Sequence, residues 1–355
     1  MIMNIGIAKE IKPFEGRIAL TPNACNALIS LGHHVFVEKD AGILSGYDNE
    51  EYERVGVRLC ASAKDLYQQC YFIVKVKEPI AVDLQYLTAE HTLFCFLHLA
   101  ANPTLTTKLL DIGLTAVGFE SIRDNDVLSI LKPMSEIAGK LSVQIGSNLM
   151  HLQQGGIGVL LGGIAGFSQE GIDKGQVLIL GAGSAGTQAA LLASNMGANV
   201  YVYDKYPPAL DKLTQLNASI HSLSDEKACI ERLPSTQLLI GALLVPGKKT
   251  PRLIKRSHLK LMQQGSVIVD ISVDQGGCIE STHPTTYGNP TFIEEGITHF
   301  CVTNMPGAVP RTATQALSAI LPSYIHRLTL NNWFENDKIM RNAVNTKNKK
   351  LLINI

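Results

Sequence analysis

Residues 175–204, GQVLILGAGSAGTQAALLASNMGANVYVYD, constrain the fold more than any other stretch of the chain. Residues 177–180 are a short apolar run of the kind that forms a strand buried in a parallel sheet. The run GAGSAG follows, then an apolar stretch of helical spacing over residues 189–196. A second β-type run at residues 200–203 stops at Asp204, about twenty residues after the last glycine. Each part has a physical task. Gly181 permits a tight turn, Gly183 lets the backbone approach a pyrophosphate, and Gly186 lets helix and strand pack closely. Amide hydrogens at the helix start, around Ser184 and Ala185, point toward phosphate with the helix dipole behind them. Asp204 can accept both ribose hydroxyls of an adenosine and would repel a 2′-phosphate; the only cation beside it is Lys205. With strand, glycines, helix, second strand and terminal acid in register, the unit reads as a dinucleotide site with NAD favoured over NADP.

A chain of 355 residues has room for two domains with substantial cores. Its 31 lysines and arginines balance 31 aspartates and glutamates, with no basic block before the tail, so nucleic acid and membrane surfaces are poor partners. Seven scattered cysteines without a CxxC pair suggest reduced thiols in the cytoplasm rather than disulfides or a zinc site. Lys9, Glu10 and Lys12 come too early for a signal-peptide core, and no stretch approaches the roughly 20 apolar residues of a membrane span.

Before residue 130, β-type runs at residues 5–8, 35–38, 72–76, 92–97 and 115–119 alternate with helical patterns such as residues 22–31 and 103–112. Asn102 suits the cap of the latter, with Pro103 at its first position. The alternation predicts a parallel sheet covered by helices on both faces, whose ligands bind beyond the carboxyl ends of the strands. Charged residues stand there: Arg17 and its neighbours after the first run, Lys75, Lys77 and Glu78 at the end of the third, His98 after the fourth, Glu120 after the fifth. They are either solvated loop charges or one polar pocket, and His98, framed by apolar residues, is either a core histidine or a functional one. Residues 134–152 read as a long helix with Ser135 as its cap, and the glycine-rich residues 155–166 as a hinge or close-packing segment. Further β-type runs are expected at residues 238–240 and 267–271, the latter leading to Asp274 before a Gly-Gly turn. A helix at residues 316–325 would return the chain to the first domain. The polar tail from residue 331 carries little pattern, and Trp333 reads as packing.

Nine stretches in order, GIAKEIKPFEGRIALTP, FIVKVKEP, LFCFLHLAA, PMSEIAGK, VLLGG, GAGSAG, GALLVPG, VDISVDQGG and NMPGAVPRT, resemble the alanine dehydrogenase and transhydrogenase family along nearly the whole chain. The resemblance implies an α/β fold of two doubly wound, Rossmann-like parallel-sheet domains joined by long helices, with an interdomain cleft. A substrate domain would comprise residues 1–133 and 306–355, and an NAD domain residues 134–305. It also implies a homohexamer. By motif, Arg17 and Lys75 correspond to the residues that hold the substrate carboxylate and carbonyl, and His98 and Asp274 to the catalytic pair. Met134, Ser135, Asn304 and Met305 fall where the family lines the nicotinamide and substrate pocket. Gly181, Gly183, Ser184, Ala185, Gly186 and Asp204 match the dinucleotide turn and ribose acid, Ser224 a serine near the adenine end, and Leu243 and Ile271 further cofactor contacts. Where the family often carries an Asn and then a basic residue after this acid, the chain reads Lys205, Tyr206, Pro207, Pro208, Ala209.

The implied activity is reversible NAD-dependent conversion of L-alanine to pyruvate and ammonia, without a metal. Two alternatives stay open at this level: a non-catalytic NAD(H)-binding module like the soluble part of proton-translocating transhydrogenase, and a dehydrogenase for another small amino acid. The set Lys75, His98 and Asp274 speaks against the first, since binding alone needs no acid–base pair.

Overall fold

In the computed structural model, which describes residues 2–164, 172–244 and 250–353, the chain divides into two units: Met1–Met134 with Pro306–Ile355, and Ser135–Met305. In the first unit, apolar runs too short for helices make six parallel strands: β1 (Asn4–Ile7), β2 (His34–Glu38), β3 (Arg58–Cys60), β4 (Phe72–Val74), β5 (Thr92–Cys95) and β6 (Thr115–Gly118). They lie side by side as β6-β5-β4-β1-β2-β3, with Ile5 in register with Val35 on one side and Phe72 on the other. The order reverses between β1 and β4, which creates a crevice at their carboxyl ends. Ile5, Ile7, Ile73, Val74, Leu93 and Phe94 are fully buried. At roughly 1.5–3 kcal/mol for each such side chain, they anchor the sheet.

Helix boundaries follow local chemistry. Helix Pro22–Ser30 starts where the Thr21 hydroxyl accepts the Ala24 amide at 3.3 Å. Helix Pro103–Ile112 starts where Asn102 accepts from Leu105 at 3.0 Å, and it stops at Gly113 with φ 86°. A small hairpin joins β7 (Arg123–Asp124) to β8 (Val127–Leu128) through Asn125 and Asp126, both left-handed as a tight hairpin turn requires. The long helix runs Leu131–Leu149, earlier than its sequence suggests. Pro133 sits in its first turn, where a missing amide hydrogen costs nothing, so Ser135 is an internal residue rather than the cap. The division between the two units falls inside this helix.

The second unit carries β9 (Gln176–Leu180), β10 (Asn199–Tyr203), β11 (His221–Leu223), β12 (Leu238–Gly241), β13 (Val267–Asp270), β14 (Thr291–Glu294) and β15 (Ile297–Phe300), ordered β11-β10-β9-β12-β13-β15-β14. All pairs are parallel except β14 with β15 at the edge. This order also reverses, between β9 and β12. β13 ends at Asp270, so Asp274 lies not at a strand end but in the following 3₁₀ turn, Val273–Gln275. Residues 155–164 are irregular, whereas residues 165 and 166 of the glycine-rich segment and residues 245–247 of GALLVPG lie outside the described residues.

After residue 305 the chain re-enters the first unit as two helices, Pro310–Ser318 and Leu321–Thr329, rather than one. Pro322 explains the break, because its ring excludes the helix from the preceding turn. Two short helices, Trp333–Asn336 and Lys338–Asn342, lead to β16 (Val344–Lys347) and β17 (Lys350–Leu351). β16 pairs antiparallel with β6, Val344 opposite Val117, and β17 pairs with β16 as the eighth strand of the sheet. Among the described residues no helix is long and apolar enough to cross a membrane.

Candidate functional site

The crevice of the first unit holds buried charge. Arg17 lies in the loop ten residues after β1 and is 3 % exposed. Its guanidinium is gripped in parallel by Glu15, Nε to Oε1 at 2.7 Å and Nη2 to Oε2 at 2.5 Å, while Nη1 reaches the Met134 sulfur at 3.4 Å. Glu15, itself buried, also accepts the Arg17 amide at 3.1 Å. This two-pronged geometry fixes the plane of the guanidinium, which lysine could not reproduce.

Lys75 follows β4 directly and is 1 % exposed. Its Nζ donates to Asp83 Oδ1 at 3.2 Å and to the Lys9 carbonyl at 3.4 Å, with Glu10 Oε2 3.8 Å away. Burial by itself pulls a lysine toward neutrality, but Glu10 and Asp83 more than offset it and hold the ammonium above the usual lysine range. Burial pushes the Glu10 carboxyl up, although Lys75 and the amides of Val76 and Lys77 oppose that. Glu10 supports the charge across 3.8 Å, and Asp83 adds a direct hydrogen bond to Nζ.

His98 lies three residues past β5 in the left-handed region, φ 47°, which residues other than glycine occupy uncommonly. Glu120, just past β6, supplies the constraint: its carboxylate accepts the His98 amide at 2.7 Å and the Leu97 amide at 3.2 Å. The half-buried ring stacks on Phe96, 5.7 Å between centroids and 8° between planes. His98 is therefore not sealed in the core. Lys75, His98 and Glu120 follow three adjacent strands on one edge of the sheet, beside the segment carrying Arg17.

In the second unit the glycine turn has the expected shape. Gly181 has φ +112°, and a Cβ on Gly186 would stand 1.8 Å from the Gly181 carbonyl oxygen. At Gly183 an added Cβ meets nothing within 4 Å, so the turn opens to space as a pyrophosphate requires. Helix Ser184–Asn195 begins there, with Ala185 and Gly186 buried and Ser184 exposed. Asp204 closes β10 and bridges the turn, accepting the Ala182 amide at 2.8 Å and the Tyr206 amide at 2.9 Å. Beside it, a cavity of about 600 Å³ is lined by Tyr203, Asp204, Leu210, Ser224 and Asp225. That is ample for an adenosine, so these residues fit a dinucleotide.

Past β12 and β13, Leu243 is tied to the following loop, its carbonyl accepting the Ser272 hydroxyl at 2.6 Å. Ile271 is half-buried and Asp274 exposed, on a turn that Gly276 and Gly277 close with φ 99° and 70°. The turn rests on the buried Asp270, whose carboxylate accepts the Ser272 amide at 2.9 Å and the Thr282 hydroxyl at 2.7 Å. Burial raises the Asp270 pKa to about 6. Asn304 is half-buried and Met305 buried, its carbonyl accepting the Tyr287 hydroxyl at 2.8 Å. Arg17, Lys75, His98 and Met134 thus belong to the first unit, and Ser135, the glycine turn, Asp204, Ser224, Leu243, Ile271, Asp274, Asn304 and Met305 to the second.

Sequence reading does not assign Glu10, Glu15, Asp83 or Asp270. Glu15 two residues before Arg17 was the one available signal, because a carboxylate at that spacing can fold back onto a guanidinium.

Comparison with known proteins gives a consistent result. The model of the alanine dehydrogenase/PNT N-terminal domain matches residues 6–138, and that of the C-terminal domain residues 142–354. An alanine dehydrogenase of Halomonas elongata is 41 % identical over 336 residues, 93 % of this chain and 89 % of its own length. One of Bacillus subtilis is 41 % identical over 325 residues, 91 % of this chain and 84 % of its own. Among solved structures, an L-alanine dehydrogenase superposes with a TM-score of 0.92 at 41 % identity, covering 99 % of this chain and 97 % of that one. A transhydrogenase from Sinorhizobium meliloti superposes with a TM-score of 0.84 at 24 % identity, covering 98 % of each chain, a likeness of fold alone.

Proposed function

The chain belongs to the alanine dehydrogenase/PNT family, and from that premise we propose that it is an NAD-dependent L-alanine dehydrogenase, interconverting L-alanine and water with pyruvate and ammonia. The observation that carries the substrate class is the buried, pre-aligned Arg17 with the buried charge of Lys75 at one crevice. Glu15 and Asp83 hold these cations charged and fixed in direction inside the protein, which is what recognition of a small anion at the crevice requires. A small 2-oxo or 2-amino carboxylate fits that requirement. The transhydrogenase-like alternative rests on a likeness of fold, whereas relatives 41 % identical over nine-tenths of the chain are dehydrogenases.

Arg17 binds the substrate carboxylate, and Lys75 donates to a carboxylate or carbonyl oxygen; two fixed cations hold Cα in one orientation, which removes much of the entropic barrier. NAD, held by the Gly181–Gly186 turn and Asp204 with Ser135, Ser184, Ala185, Ser224, Leu243, Ile271, Asn304 and Met305, supplies the hydride acceptor. Loss of hydride from Cα leaves an imine. His98 and Asp274 hold and move the protons as water adds and the carbinolamine collapses to ketone and ammonia. Met134 and Asn304 line the substrate. A homohexamer in the cytoplasm completes the reading, the first checked by light scattering.

The test is NADH oxidation with pyruvate plus ammonium, run beside other 2-oxo acids and with NADPH. The reading expects pyruvate to lead the panel and NADH to exceed NADPH by at least about tenfold in kcat/KM, roughly 1.4 kcal/mol. Tight NADH binding without turnover of any 2-oxo acid would return the chain to the binding-module alternative.

A further inference from the structure

We propose that Asp83 is the positioning residue of Lys75, aiming its ammonium and keeping it charged while it is sealed from water. This rests on the dehydrogenase reading only for its kinetic consequence; the structural part stands by itself.

Lys75 Nζ has three hydrogens and, among the described residues, two acceptors within hydrogen-bond distance, Asp83 Oδ1 and the Lys9 carbonyl. The third hydrogen has no such acceptor. A buried ammonium gains strongly from a partner there, and a substrate oxygen is one. Asp83 can aim the group because it cannot turn. Its Oδ1 accepts the Tyr67 hydroxyl at 3.1 Å, its Oδ2 accepts the Ile80 amide at 3.0 Å, and the residue is 3 % exposed. The Ile80 bond also starts the short helix Ala81–Leu84, so the loop after β4 folds back and returns a carboxylate to the lysine eight positions earlier.

Other charged and titratable groups around Lys75 are less suited. Glu10, from the segment after β1, faces Nζ across 3.8 Å with Oε2 accepting no hydrogen bond among the described residues, while Oε1 is occupied by the Val76 amide at 2.6 Å. Glu38, at the end of β2, holds the Lys9 amide at 3.0 Å rather than Nζ. Cys95 on β5 is a buried thiol whose pKa burial raises well above the usual thiol value. Tyr67, on helix Ala63–Gln69, likewise stays protonated and donates to Asp83. Among the described residues, Asp83 is the carboxylate that accepts a hydrogen bond from Nζ directly.

The direct readout is the titration of Lys75 in protein labelled with ¹³C at lysine Cε, its signal assigned by loss in Lys75→Arg. In the wild type Lys75 should remain charged to at least its ordinary value near 10.4. In Asp83→Asn, which keeps the shape and removes the charge, it should titrate at least about one pH unit lower. The alkaline limb of kcat/KM for pyruvate should move down with it, and Asp83→Glu should restore much of the loss. If Asp83→Asn does not fold, Asp83→Ser carries the same expectation, since it too removes the charge and is smaller. A wild-type Lys75 that titrates below about pH 9, or variants whose Lys75 titrates with the wild type, overturns the proposal. Lys75 titrating as expected in a protein without activity on any 2-oxo acid would overturn the dehydrogenase reading and leave the positioning role intact.

Discussion

Replacing Glu15 with alanine should be among the most damaging single changes in the first unit, although the residue is not itself assigned to substrate. Glu15 and Arg17 are 4 % and 3 % exposed and joined by two side-chain bonds of 2.7 and 2.5 Å. Removing the carboxylate leaves a buried guanidinium without its closest counter-charge. Breaking one side of such a pair costs about 3–5 kcal/mol, far more than the pair is worth against apolar residues of the same volume. For a unit of this size each kcal/mol moves the melting temperature by about 2–4 °C, so Glu15→Ala should melt about 6–20 °C lower. The double change Glu15→Leu with Arg17→Met removes both charges and should recover at least half of that loss, because neither member of the pair is then left buried without the other. Scanning calorimetry on the wild type, Glu15→Leu, Arg17→Met and their double variant completes the cycle, with Glu15→Ala measured beside them. A Glu15→Ala shift below about 2 °C would place the pair in the range of surface ion pairs and refute the reasoning. A double variant as unstable as the single one would refute it too.

Gly186→Ala should abolish NADH binding in a fluorescence titration, because its Cβ would meet the Gly181 carbonyl oxygen at 1.8 Å; unchanged affinity would show that the turn does not hold the dinucleotide. His98→Ala and Asp274→Asn should each lower turnover by about 10²–10⁴ with NADH binding retained, the range for lost acid–base catalysis. Parallel loss of binding and stability would instead mark them as structural. Asp270, raised to about 6 by burial, favours its acid form in the folded state. Its contribution to stability is fully present below the ordinary carboxylate value and is lost as pH rises through about 6. Asp270→Asn should therefore raise the melting temperature more at pH 8 than at pH 5, and equal shifts at the two pH values would exclude that linkage.

The parts of the molecule legible in sequence are those whose cause is local. The glycine turn needs Gly181 for its φ of +112° and Gly186 for close packing, so the requirement is written in the residues themselves. Asn102 and Pro103 mark a helix start that the cap geometry bears out. The buried parallel strands announce themselves as apolar runs, with ends displaced by one or two positions. What stayed hidden depends on partners distant in sequence or on small sterics. β14 lacks a long apolar run because it is the sheet edge, β15 because Thr298 and His299 interrupt its four buried residues, and β16 because Asn345, Thr346 and Lys347 follow Val344 in a polar tail. His98 has a sequence compatible with a core residue; only the Glu120 carboxylate on its amide, 22 positions away, reveals why its backbone is left-handed. Asp83 reads as one more loop acid until the chain's reversal after β4 brings it to Lys75.

During synthesis, β6 leaves the ribosome long before its last neighbour. It ends at Gly118, and β16, which covers that edge, begins at Val344. At about 5–20 residues per second, roughly ten to forty-five seconds separate the two. The second unit is continuous from Ser135 to Met305 and can close as soon as its own residues emerge. The first unit must wait with a row of unpaired amides and carbonyls beside Ala116 and Val117, a template for pairing with another nascent chain. A chain cut short before Val344 would keep every residue assigned above to substrate and cofactor. It would also keep that edge open permanently, and its fate would be aggregation rather than altered catalysis.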